Sequence, residues 1–82
     1  MTNPVLNTTI LQILNRLPAG LKEKTLQNET AILMDRPTLT TVEFEDAIRE
    51  LEDRELIRRD PTLLGDTLFS ITGLGKEALR GA

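Results

Sequence analysis

The 82-residue chain contains no cysteine, histidine, tryptophan or tyrosine. Without cysteine there can be neither disulfides nor thiolate metal sites. Without histidine, the commonest general base, the commonest metal ligand and the side chain that titrates near neutral pH are all missing. Phe44 and Phe69 are the only aromatic residues, so there is no set of rings on which single-stranded bases can stack. Ser70 is the only serine and has no histidine to activate it. Gly73-Leu74-Gly75-Lys76 has the residue types of a phosphate loop without its spacing. The many carboxylates show no calcium-loop pattern, and a row of them on an exposed helix has no cleft to separate their pKa values. These absences point away from an enzyme: no catalytic residue, metal-ligand set, cofactor or small-molecule ligand is evident. No run approaches the roughly 18 apolar residues of a membrane helix. Met1-Thr2-Asn3-Pro4 opens without the basic region and apolar core of a signal peptide. The expectation is a cytoplasmic protein without membrane contact.

The content that is present, 39% hydrophobic and 28% charged residues, suits one folded domain over residues 1–82. There is no linker, repeat or low-complexity tract. Leu6, Ile10, Ile13, Leu14 and Leu17 fall on one face of a 3.6-residue repeat. Asn3 is placed as the cap of this first helix, Pro4 as its first residue and Pro18 as its stop. A second helix is expected from about Lys22 to Met34, with Leu21 just before it and Leu26, Ile32 and Leu33 as its apolar positions. Asp35-Arg36-Pro37-Thr38 ends it. The third helix has the clearest start. Thr40-Thr41-Val42-Glu43 is a capping box, Leu39 and Phe44 form a hydrophobic staple, and Phe44, Ala47, Ile48 and Leu51 make a buried stripe.

After about Arg54 the pattern changes. Leu56-Ile57-Arg58-Arg59 reads as extended, 60–66 as a loop, and Thr67-Leu68-Phe69-Ser70-Ile71 alternates as a half-buried strand does. The two strands predict a hairpin, and Thr72 caps a last short helix with Leu74, Ala78 and Leu79. Leu63 and Leu64 stand in the loop, where they either tuck back onto the core or form an apolar patch for a partner or a second copy.

The order of three helices, hairpin and short helix is that of a winged helix-turn-helix, a mainly α fold with a small β-hairpin. Leu51-Glu52-Asp53-Arg54-Glu55-Leu56-Ile57-Arg58-Arg59 resembles the end of the recognition helix and first wing strand of MarR-like and PadR-like winged-helix proteins. Phe69 to Leu79, with threonine, two residues, glycine and then alanine-leucine, resembles their second wing strand and the helix after it. The resemblance implies a winged-helix domain whose relatives mostly bind DNA, and a first helix that offers a common dimerising surface. It also puts Glu55 where the family usually has a left-handed glycine. Either Glu55 takes that strain or the third helix ends differently.

Charge decides the functional expectation. Residues 40–55 hold seven acids against two arginines and so carry −5, leaving +2 on the rest of a chain whose net charge is −3. Glu43, Asp46, Glu50 and Asp53 are spaced to share one solvent-facing row opposite the stripe. Glu45 with Arg49 and Glu50 with Arg54 are i,i+4 pairs. Duplex DNA carries about one negative charge per 1.7 Å of axis and would repel such a row. The leading expectation is therefore a non-catalytic module that binds a protein, or a second copy of itself, through Glu43, Asp46, Arg49, Glu50 and Asp53. The alternative is a DNA-binding transcriptional regulator contacting phosphates through its wing and flanking basic residues: Lys22, Lys24, Arg36, Arg58 and Arg59. A subunit that works only inside a larger complex is a third possibility.

Overall fold

The computed structural model describes residues 4–35 and 39–81. The expected Asn3 cap and the expected helix-ending residues Arg36, Pro37 and Thr38 lie outside the described residues. The order is α1 (Pro4–Arg16), β1 (Leu21–Lys22), α2 (Glu23–Leu33), α3 (Thr41–Asp53), β2 (Ile57–Pro61), β3 (Thr67–Ile71) and α4 (Gly73–Arg80). None of these helices is long and apolar enough to cross a membrane.

Pro4 opens α1, where a missing N–H costs nothing. Leu6, Ile10, Leu11, Ile13 and Leu14 turn inward to form one wall of the core. Leu17 does not continue this face. The backbone leaves the helix before Pro18, Leu17 becomes exposed, and its carbonyl accepts the Gly20 N–H at 2.9 Å. Gly20 makes this turn at φ 88, pressed so close to the Phe69 carbonyl that a Cβ would sit 3.0 Å from its oxygen.

That close approach brings Leu21 and Lys22 alongside β3, with Leu21 opposite Phe69 and Lys22 opposite Leu68. The sheet therefore has three strands in the order β1-β3-β2, not the two of a simple hairpin. Helix α2 starts at Glu23 and buries Leu26 and Thr30, whose hydroxyl donates to the Leu26 carbonyl at 2.7 Å. Ile32 and Leu33, expected among its inward positions, are exposed. A hydrogen-bonded threonine serves on the inner face instead.

Helix α3 starts as its sequence requires. The Thr40 hydroxyl accepts the Glu43 N–H at 3.1 Å, and Leu39 and Phe44 are both buried. Phe44, Ala47, Ile48 and Leu51 close over α1, and Phe69 completes the centre from the sheet. The helix ends in a Schellman motif: Leu56 N–H donates to the Leu51 carbonyl and Glu55 N–H to the Glu52 carbonyl, both at 2.9 Å. Glu55 is the left-handed residue of that motif, at φ 61.

β2 and β3 then pair from Ile57 opposite Ile71 to Pro61 opposite Thr67. Thr72 ties the end of the wing back to its start. Its N–H donates to the Leu56 carbonyl at 3.1 Å, its hydroxyl donates to the Glu55 carbonyl at 2.6 Å, and that same oxygen caps α4 by accepting the Gly75 N–H. A Cβ on Gly75 would collide with the Leu56 carbonyl oxygen and the Ile71 side chain.

Two substitutions test this junction. Gly75→Ala forces side chain against backbone and is expected to cost about 2–3 kcal/mol. Glu55→Gly relieves a left-handed side chain and is expected to stabilise by up to about 1 kcal/mol. Thermal unfolding followed by circular dichroism reads both, at roughly 4–8 °C per kcal/mol for a domain of this size. A Gly75→Ala protein that melts with the wild type would refute the close packing.

Candidate nucleic-acid interface

The buried stripe of α3 leaves Val42, Asp46, Arg49 and Asp53 along its open side, and all four are exposed. The four carboxylates expected in one outward row are divided. Asp46 and Asp53 face solvent, whereas Glu43 and Glu50 are half-buried at the border of the stripe. Glu50 directly precedes Leu51 and follows Ala47 by one turn, so it is drawn toward α1. There its Oε2 accepts the Asn7 Nδ2–H at 3.2 Å. Asn7 Oδ1 has no partner among the described residues and lies in a crevice of about 240 Å³ between α1, α3 and α4. Glu43 is taken up by the capping box, with the Thr40 hydroxyl 3.3 Å from its Oε1.

The expected i,i+4 ion pairs do not form either: neither Arg49 nor Arg54 makes a salt bridge among the described residues. Glu45 and Glu52 stand on the other flank, in a cleft of about 280 Å³ shared with Glu23, Arg49 and Arg59. The −5 of this segment is thus spread around the helix and partly offset by arginines. Arg49, without an ion-pair partner among the described residues, stands in the middle of the open side.

The basic residues fall into distinct settings. Lys24, in the first turn of α2, is exposed and makes no ion pair among the described residues. Lys22 on β1 meets Asp66 at 3.1 Å, and Arg58 on β2 meets Asp60 at 3.0 Å. Both are surface pairs, worth at most about 1 kcal/mol, so a phosphate can replace either carboxylate at small cost. Arg58, opposite Ser70 in the register, points to the outer face of the sheet together with Lys22 and Asp60. Arg59 points to the inner one. Its Nη2 donates to Glu52 at 2.7 Å, and its guanidinium lies 5.1 Å from the Phe69 ring centroid. It ties the wing to α3. Sequence reasoning placed Arg59 with Arg58 as a phosphate contact and missed this role. Strand alternation, which separates adjacent residues onto opposite faces, was the available signal.

The sequence matches no family model and no curated protein. Solved structures do superpose on it. The PcaV transcriptional regulator from Streptomyces coelicolor, in complex with its natural ligand, gives a TM-score of 0.76 at 21% identity, over 98% of this chain and 51% of its own. F93 from STIV, a winged-helix DNA-binding protein, gives 0.73 at 20% identity, over 90% and 78%. The chain has the winged-helix fold. An S. aureus MepR variant bound to an oligodeoxyribonucleotide gives 0.68 at 19% identity, over 95% and 53%. The chain spans about half the length of the PcaV and MepR chains that it matches.

These neighbours are regulators and DNA-binding proteins rather than enzymes. They overturn the expectation of a protein, or a second copy of the chain, as preferred partner through the acidic third helix. One of them is bound to an oligodeoxyribonucleotide. The physical reason is that Glu43, Asp46, Glu50 and Asp53 do not form one exposed row: Glu43 and Glu50 are half-buried.

Double-mutant cycles distinguish the two wing arginines. The Arg59→Ala and Glu52→Gln cycle is expected to return a coupling of about 0.5–1 kcal/mol in thermal unfolding, and the Arg58→Ala and Asp60→Asn cycle one near zero. Equal couplings would remove the distinction between inner and outer arginine.

Proposed function

We propose that the chain is the DNA-binding module of a transcription regulator: a single, non-catalytic winged-helix domain over residues 1–82, acting in the cytoplasm. The open side of α3 carries this reading, with Arg49, which has no ion-pair partner among the described residues, at its middle and Lys24, Lys22 and Arg58 on neighbouring elements. Laid in a major groove, that side offers guanine a bidentate guanidinium and thymine the methyls of Val42. Asp46 and Asp53 can accept from the cytosine amino group. They also repel phosphates where register is wrong, which lowers non-specific affinity and so sharpens discrimination. Lys24 contacts backbone directly, while Lys22 and Arg58 exchange Asp66 and Asp60 for phosphate. Arg59 holds the wing at the angle that lets both elements reach the duplex.

Selection of duplexes from a random pool, followed by anisotropy titrations over a range of salt, tests the proposal. With three phosphate contacts the logarithm of affinity should fall with the logarithm of salt at a slope of about −3. Lys24→Gln should flatten the slope by about 1. Arg49→Ala should cost about 1–3 kcal/mol on the selected sequence and little on an unrelated one. Asp46→Asn with Asp53→Asn should strengthen binding to the unrelated duplex. Absence of duplex binding at low salt discards the proposal.

A further inference from the structure

The tip of the wing is apolar, fully exposed and held in shape. Leu63 and Leu64 have relative exposures of 105% and 90%, so neither tucks back onto the core. The turn that presents them is not slack. Thr62 N–H donates to the Asp66 carbonyl at 2.7 Å and Gly65 N–H to the Thr62 carbonyl at 3.1 Å, while the Thr62 hydroxyl accepts the Asp66 N–H at 3.2 Å. Gly65 supplies the positive φ of 88 that closes the turn. Lys22 braces its base through Asp66. Turns at such positions are ordinarily built from polar residues, glycine and proline, and two adjacent leucines at the apex oppose the solvation of the loop.

We infer that Leu63 and Leu64 form a wedge that enters the minor groove and partly unstacks one base step of the bound duplex. The inference rests on the DNA-binding reading above and specifies how the wing takes part. Size selects the occupant. Two leucines on a narrow tip supply a small fraction of the roughly 800 Å² per partner that a standard protein interface buries, so a second copy gains little there. A base step needs only one or two apolar side chains, and leucine is among the residues that minor-groove proteins insert in this way. Charge agrees with size. Lys22 stands at the base of the tip, where a phosphate beside the groove can take it from Asp66. The wedge also gives the chain a source of sequence preference that needs no further base-reading side chain, since pyrimidine–purine steps unstack more readily than others.

The experiment uses the full chain and a duplex selected by the wild type, carrying 2-aminopurine at successive positions and a donor–acceptor dye pair at its ends. Wild type should raise 2-aminopurine fluorescence at one step flanking the α3 site and shorten the end-to-end distance. Leu63→Ser with Leu64→Ser should abolish both signals and leave the salt slope unchanged. It should weaken affinity about tenfold, as expected from losing the burial of roughly one leucine. Because both side chains are solvent-exposed, the variant should keep the wild-type circular dichroism and melting temperature. Wild-type binding without unstacking at any step overturns the wedge but leaves DNA binding standing, and so does a variant that keeps both signals. Sedimentation that shows the wild type as a dimer and the variant as a monomer assigns the leucines to self-association and overturns it too. Failure of the wild type to bind any duplex removes both readings together.

Discussion

The orientation of the wing depends on four residues where α3, the wing and α4 meet: Glu55, Leu56, Thr72 and Gly75. The Schellman motif turns the chain at Glu55 and leaves the Glu55 and Leu56 carbonyls pointing away from the helix. Thr72 reaches both from the far side of the hairpin, its hydroxyl donating to the Glu55 carbonyl and its N–H to the Leu56 carbonyl. The two ends of the wing are thereby fastened to each other, and the absence of a side chain at Gly75 lets α4 rest on the same peptide. If this junction opened, β2 and β3 could still pair, but their direction relative to α3 would no longer be set.

Direction matters because the two surfaces that meet DNA in this reading lie on separate elements. The open side of α3 is set by the stripe from Phe44 to Leu51, and the outer face of the sheet by the pairing of β2 with β3. Arg59 adds a second link, stacked on Phe69 and bonded to Glu52. It also lowers the negative charge that α3 presents on its sheet-facing flank. The same side chain thus holds the wing in place and makes the helix more acceptable to a polyanion.

Much of the fold was legible because the signals were local. The capping box and staple at Leu39, Thr40, Glu43 and Phe44, the stripe that follows, and the threonine-to-glycine spacing after β3 are each contained within a few residues. What escaped was short or non-local. β1 is two residues long, too short for a period, and exists only because Gly20 lets the backbone approach Phe69. Ile32 and Leu33 matched an apolar face that α2 does not use, since its rotation is decided by what Leu26 and Thr30 meet across the core. On α3, residue types and spacing were read correctly, but Glu50 sits where a small shift of angle separates solvent from a neighbouring helix.

Sequence by itself determined the four helices, the wing hairpin and the absence of cysteine and histidine, because these follow from residue types and from patterns within one or two turns. Only the tertiary structure decided that Glu55 takes the left-handed conformation, that the acids of α3 are divided rather than aligned, that Arg59 has an ion-pair partner where Arg49 has none among the described residues, and that Leu63 and Leu64 stand clear of the core. Each of those depends on which distant group a side chain meets, and the strength of a charge or an apolar surface is set by that neighbour rather than by its place in the chain.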